Sequence, residues 1–320
     1  MIAESLHQEA ERTIAKGSKS FATATRLFRP AMRRDVMLLY LWCRYCDDLA
    51  DGQHLGHGAL TTASLQAIGR LRENSLAAAH GRPNSELPFR ALAQVCRRHP
   101  LESGLIEDHI KGFRLDAQGW RPETLDDVLR YSYYVAGAVG VMMARIMGVG
   151  DPATLARASD LGLAFQLTNI SRDIVEDARA GRCYLPAEWL REAGLHVEDL
   201  PAPRHHDRLW PLVKRLIETA EPYYDSARIG IHALPPRAAW AIATARSVYR
   251  DIGVKILKQG PTALARRSTT PPALKFWRIF GGAAALVPRT SANQESRPRN
   301  PALWTPEPLR GKPSDNATAI

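Results

Sequence analysis

Asn169, Asp173 and Asp177 recur every fourth residue in the stretch LGLAFQLTNISRDIVEDARAGRCYLP (161–186). On a helix these positions share nearly one face, and Gln166 extends the stripe by one turn. Leu163, Phe165, Leu167, Ile170 and Ile174 flank it with apolar side chains. Two carboxylates and a carboxamide on an otherwise apolar helix are costly to bury unless a cation meets them. Hard divalent ions suit such oxygen donors; Mg²⁺ takes one or two carboxylates and completes its shell with water and phosphate. Taken alone, the helix is explained equally well as a solvated acidic face partnered by Arg172 and Arg179.

A second copy of the pattern, far away in the chain, shifts that balance. In RRDVMLLYLWCRYCDDLADG (33–52), Asp47 and Asp51 stand four apart, with Asp48 beside them and Arg44 one turn back. Two D-x-x-x-D pairs on separate apolar helices, each with an arginine nearby, predict two walls of one metal–diphosphate site. Cys43 and Cys46 followed by His54 and His57 invite a zinc reading. Their spacing argues against it, since a finger places about a dozen residues between its Cys and His pairs.

The elements that must position these groups read as helices throughout. Residues 3–16 form a short amphipathic helix closed by Gly17, and a stronger one starts at Arg33 and stops at Gly52. Further helices are expected over 63–80, 86–98, Leu105–Phe113 and Leu125–Met147. The last of these carries Ala136, Gly137, Ala138 and Gly140 in mid-helix, against helix propensity. Close helix–helix packing accounts for them, as does a pocket wall with Tyr131, Tyr133 and Tyr134 near its mouth and Met142 and Met143 deeper. After the central helix, the stretch to Pro211 reads as loop, with His205 and His206 exposed. Helices over Leu212–Ala233 and Pro236–Leu257 follow, the second bearing Tyr249 and Arg250. One catalytic domain is expected over 1–287. From Pro288 the composition turns to proline, arginine, asparagine and serine, so 288–320 reads as a basic, disordered tail.

The chain has 320 residues, 45% of them hydrophobic, which is enough for one large core. A formal charge of +10 leaves nucleic acid, an anionic membrane surface or a phosphorylated substrate as partners. Nucleic-acid binding rests on charge alone, which the basic tail and a diphosphate pocket already explain, so none is expected. Four cysteines do not make a disulfide framework, and a reducing cytoplasm is the expected compartment. MIAESLHQEAER lacks the apolar core of a secretory signal, and no run approaches a spanning helix. Membrane contact, where it occurs, is expected to be peripheral, at the inner face of the cell membrane.

Taken together, the motifs resemble the squalene and phytoene synthase family. The resemblance runs through GSKSFATA (17–24), LYLWCRYCDDLAD (39–51), YYVAGAVGVMMARIMGV (133–149) and the central stretch. It continues in AEPYY (220–224), AWAIATARSVYRDIGVK (239–255), RRSTT (266–270) and PALWTPEPL (301–309). Ala50 departs from it, where many relatives carry a larger aliphatic or polar residue. The resemblance implies an all-α isoprenoid (terpenoid) synthase bundle around a central apolar cavity. It also implies head-to-head condensation of two geranylgeranyl diphosphates to phytoene through prephytoene diphosphate, with inorganic diphosphate released. Mg²⁺ or Mn²⁺ would be held by Asp47, Asp51, Asn169, Asp173 and Asp177, with Arg44 and Arg172 among the catalytic groups. Ser18, Ser20, Tyr40, Tyr134, Gln166, Tyr249 and Arg266 are the implied substrate contacts. No NADPH is expected, because no dinucleotide fingerprint is present. The rivals are a farnesyl-diphosphate enzyme of the same fold making squalene, and a non-catalytic helical scaffold.

Overall fold

The computed structural model describes residues 6–12, 25–51, 63–265 and 298–309, without the side chains of Asp51 and Pro308. Among the described residues every regular element is helical. Helix α1 (Pro30–Asp51) starts three residues before the expected Arg33. Proline fits a first helical turn, where its missing N–H would have had no partner. Val36, Leu38, Leu39, Trp42 and Cys46 are buried around most of its circumference, so α1 is an interior helix. Trp42 Nε1 donates to Ser75 Oγ at 3.0 Å, tying α1 to α2 (Leu65–Ala79). Helices α3 (Leu87–Arg98) and α4 (Ser103–Ala117) complete this half, α4 running past the expected end at Phe113.

The long helix expected over Leu125–Met147 is interrupted. It consists of α5 (Leu125–Ser132), a π-helical turn over Tyr133–Gly137, and α6 (Ala138–Ile146). A capping box between Thr124 and Asp127 starts α5. Gly112 on α4 makes room for the π turn, since a Cβ there would come within 2.4 Å of Val135 Cγ1.

Helix α7 (Pro152–Arg179) stands at the centre, opened by Asp151, which accepts the Thr154 N–H at 2.9 Å. It packs against the π turn, α6, α9 (His206–Gly230) and α10 (Pro236–Gln259), with short α8 (Ala187–Glu192) between α7 and α9 in the chain. Two glycines decide how close it comes. A Cβ on Gly140 would lie 2.4 Å from the Ala158 carbonyl oxygen, and one on Gly162 2.4 Å from that of Ala136. The small residues of the tyrosine-rich helix therefore serve close packing.

Helix α9 corrects the reading that placed loop up to Pro211, because it begins at His206 and passes through Pro211 and Pro222. Leu209, Leu212, Val213 and Leu216 keep its buried face continuous, which offsets the backbone bond each proline removes. His206, expected to be exposed, is buried at its start. The tail also differs from expectation: residues 298–309 pack on the bundle. Arg299 donates to both carboxylate oxygens of Asp160 at 2.8 and 2.7 Å, and the Trp304 N–H donates to Tyr223 Oη at 3.2 Å. Asp160 is only 1% exposed, so removing Arg299 would leave a buried carboxylate without its bidentate cation.

Candidate active site

Along α1, Val36, Tyr40, Cys43, Arg44 and Asp47 repeat at helical spacing and face one cavity. Along α7, the facing stripe runs from Thr154 through Arg157, Leu161, Phe165 and Asn169 to Asp173 and Asp177. At about 1.5 Å per residue, that stripe is about 35 Å long. The cavity it borders has a volume of about 1090 Å³. Its carboxylates gather at the C-terminal end of α7, and apolar side chains such as Val139, Met143 and Ile242 cover much of the rest. Ala136, Gly140 and Gly162 line it as well, so the same small residues allow close packing and leave open space.

At the polar end, charges are already arranged. Arg172 donates through Nε to Asp173 Oδ1 at 2.8 Å and through Nη2 to Oδ2. Burial pulls the Arg172 pKa down, but Asp173, Tyr249 and Asp177 outweigh it and hold the guanidinium charged. Arg44 Nη2 donates to Asp48 Oδ1 at 2.6 Å, so Asp48 orients the arginine while Asp47 faces the cavity. Tyr249 on α10 stacks on Phe165, with ring centroids 4.2 Å apart. Burial raises the Tyr249 pKa, Arg172 opposes the rise, and Asp173 and Asp47 add to it. One phenol thus senses a carboxylate from each acidic helix.

Asp47, Asp173, Asp177, Arg44, Arg172, Tyr40, Gln166, Asn169 and Tyr249 are brought to this one cavity. Tyr134 is not among its described lining residues; Lys111 sits over its ring at 5.7 Å. Tyr133 is buried with its hydroxyl donating to Asp108 at 2.9 Å, and Tyr131 alone of the three tyrosines reaches the cavity. Ser18, Ser20 and Arg266 lie outside the described residues, as does the Asp51 side chain at the end of α1.

Sequence reading missed Arg182, Asp116 and His109, all of which line the cavity. Gly181, at φ 78°, ends α7, and the Arg182 N–H turns back to the Asp177 carbonyl at 2.8 Å. The Ala-Gly-Arg that follows Arg179 was the available signal, a C-terminal glycine stop with a cation behind it. Asp116 accepts from Tyr131 Oη and Tyr184 Oη, both at 2.9 Å, under a stack of those two rings. No local pattern marks it, because its partners are distant in the chain.

The donors fit a hard divalent cation. The Asn169 amide nitrogen donates to Gln166 Oε1 at 3.5 Å, leaving Asn169 Oδ1 buried without a protein partner on the same stripe as Asp173 and Asp177. Among the described residues no three acidic, histidine or cysteine side chains close a shell by themselves. Mg²⁺ and Mn²⁺ take such oxygen donors and complete their shells with water and phosphate.

Compared with known proteins, the family model described as squalene/phytoene synthase matches residues 14–277. The phytoene synthase of Pseudescherichia vulneris is 47% identical over 302 residues, covering 93% of this chain and 97% of that protein. The 15-cis-phytoene synthase of Pantoea ananas is 48% identical over 304 residues, covering 94% and 97%. Among solved structures, a dehydrosqualene synthase in complex with ligand superposes with a TM-score of 0.78 at 28% identity, covering 89% of this chain and 97% of that one.

Proposed function

The chain belongs to the squalene/phytoene synthase family, and from that premise we propose that it condenses two geranylgeranyl diphosphates head to head into phytoene, the committed step of carotenoid biosynthesis. The observation that carries this reading is one long apolar cavity with carboxylates from two helices and three arginines at a single end. Relatives that share nearly the whole chain and are named phytoene synthases support it. The cavity volume of about 1090 Å³ is also of the order that forty carbons require, at roughly 30 Å³ each.

Ionising an allylic diphosphate requires its departing charge to be neutralised where it develops. Asp47, Asp51, Asn169, Asp173 and Asp177 would hold Mg²⁺ or Mn²⁺, whose chemistry there is neutralisation of the diphosphate oxygens. Arg44, Arg172 and Arg182 add fixed positive charge, and Gln166 and Tyr40 add hydrogen-bonding groups beside it. Phe165 and the Tyr249 ring present aromatic faces to a carbocation, and the apolar walls exclude the water that would quench it. After the cyclopropyl diphosphate ionises, loss of a proton leaves its C–H electron pair as the new double bond. The released diphosphate or a tyrosine oxygen takes that proton, and no hydride is consumed.

Purified protein supplied with geranylgeranyl diphosphate and Mg²⁺ is expected to form phytoene at the same rate with and without NADPH. A requirement for NADPH, or a preferred squalene-type product from farnesyl diphosphate, would assign the chain to the squalene branch of the family instead.

A further inference from the structure

Arg157 is an unexpected side chain to find in the wall of a hydrocarbon cavity. It is 7% exposed, it lines the cavity on α7, and its aliphatic stem lies against Gly230 of α9, where an added Cβ would fall 2.7 Å from Arg157 Cβ. Its Nη1 donates to the Ser226 carbonyl at 3.2 Å and to Ser226 Oγ at 3.3 Å. Ser226 Oγ in turn donates to Asp160 Oδ2 at 2.5 Å, and Asp160 is the carboxylate that Arg299 grips with two bonds. The other guanidinium bonds of Arg299 close its own segment, to Thr305 Oγ1 at 2.6 Å, the Trp304 carbonyl at 2.8 Å and the Leu303 carbonyl at 3.4 Å. A continuous relay therefore joins the C-terminal segment to the cavity wall.

Position along α7 gives that relay a meaning. Arg157 precedes Asp173 by sixteen residues, about 24 Å along the helix axis. The sixteen-atom main chain of a geranylgeranyl group, at about 1.2 Å per bond when extended, spans about 18 Å, and the diphosphate occupies most of the remainder. One more isoprene unit adds four main-chain bonds, about 5 Å by the same measure, and would reach the guanidinium. An apolar end wall can repack around a longer chain, whereas a buried arginine held by hydrogen bonds moves only by leaving its partners unsatisfied. We propose that the docked segment 298–309 sets the prenyl chain length the cavity accepts, by holding Arg157, through Arg299, Asp160 and Ser226, in the cavity wall one turn short of Thr154, towards the end remote from Asp173.

The proposal rests on the prenyl-diphosphate reading above. Its test uses the full chain, Mg²⁺, geranylgeranyl diphosphate and its C25 homologue, with product chain length read by mass spectrometry. Two variants address the two ends of the relay. Arg157→Leu removes the charged wall and leaves the Arg299–Asp160 pair intact. Arg299→Ala leaves Arg157 as the cation nearest Asp160 and draws it out of the wall. Both are expected to raise the C25-to-C20 ratio of kcat/KM, by about tenfold or more for Arg157→Leu and in the same direction for Arg299→Ala. A ratio within twofold of the parent in folded Arg157→Leu overturns the proposal, and it does so even where Arg299→Ala fails to fold. An elevated ratio in Arg157→Leu with an unchanged ratio in folded Arg299→Ala removes the tail from the relay and equally overturns it. A parent protein that converts farnesyl but not geranylgeranyl diphosphate overturns the phytoene reading instead, and the ratio between successive chain lengths still tests the wall.

Discussion

Asp173 carries two duties that a substitution can separate. It accepts the paired bonds of Arg172, and it stands on the cavity stripe with Asn169 and Asp177. Asp173→Asn keeps the size and one acceptor oxygen but loses the charge. Turnover is expected to fall about 10²–10³-fold, the scale of removing one electrostatic contact to a developing charge, with an unchanged circular dichroism spectrum. Activity within tenfold of the parent would exclude this carboxylate from the diphosphate site, and full activity of the parent in EDTA would exclude a divalent metal from it. His109 offers a stability measurement. It is 1% exposed, Nδ1 donates to the Tyr134 carbonyl at 3.2 Å, and its ring lies between Trp42 and Phe113. Burial pushes its pKa down to about 4, against the weaker opposing effect of that hydrogen bond. The unfolded chain then binds the proton first, near pH 6.5, so stability is intact above that pH and is lost as pH falls towards 4. The loss is on the order of 3 kcal/mol for this one group. In urea titrations, His109→Phe is expected to gain on the parent by about that amount between pH 7 and 4. Parallel stability curves would show that His109 does not titrate on unfolding.

At the scale of elements, the glycines between α6 and α7 and the glycine of α2 should behave oppositely. Gly140→Ala and Gly162→Ala each drive a methyl into a backbone carbonyl of the facing helix, which neither helix can yield without separating. Each is expected to cost about 1–3 kcal/mol and to narrow the cavity. Gly69 sits inside α2 with nothing within 4 Å of an added Cβ, so Gly69→Ala should stabilise by about 0.5–1 kcal/mol. Equal effects in denaturant midpoints at all three positions would refute the close approach. The same elements show why the sequence could be read in part. The acidic stripes on α1 and α7 were legible because spacing of four within one regular helix is local information. Tyr134 was not, because the π turn winds more residues per revolution and shifts the faces beyond it. Tyr131 and Val135 turn to the cavity, while Tyr134 is left beside Lys111. Pro211 hid the start of α9 for a related reason: a local breaker was outweighed by a buried face that only tertiary packing reveals.

For the whole molecule, composition predicts behaviour better than it predicts docking. Nothing local announces that Arg299 meets a buried aspartate 139 residues earlier, and a tail of prolines and arginines reads as unstructured until that partner is seen. Net charge needs no partner to be informative. The chain carries a formal charge of +10, and among the described residues no helix is long and apolar enough to cross a membrane. A forty-carbon hydrocarbon product has almost no solubility in water, so release into a bilayer is far more favourable than release into solvent. A basic surface held at anionic headgroups would shorten that path, each lysine or arginine near the surface contributing about 1 kcal/mol. Such attraction is screened over a Debye length of about 10 Å at 0.1 M salt and about 3 Å at 1 M. The protein is therefore expected to float with anionic vesicles at low salt, to be largely released by 1 M salt, and to bind zwitterionic vesicles weakly throughout. Absence from anionic vesicles at low salt would exclude electrostatic association. Flotation that salt does not reduce would assign the contact to apolar surface alone, and a charge-reversed tail should then leave it unchanged.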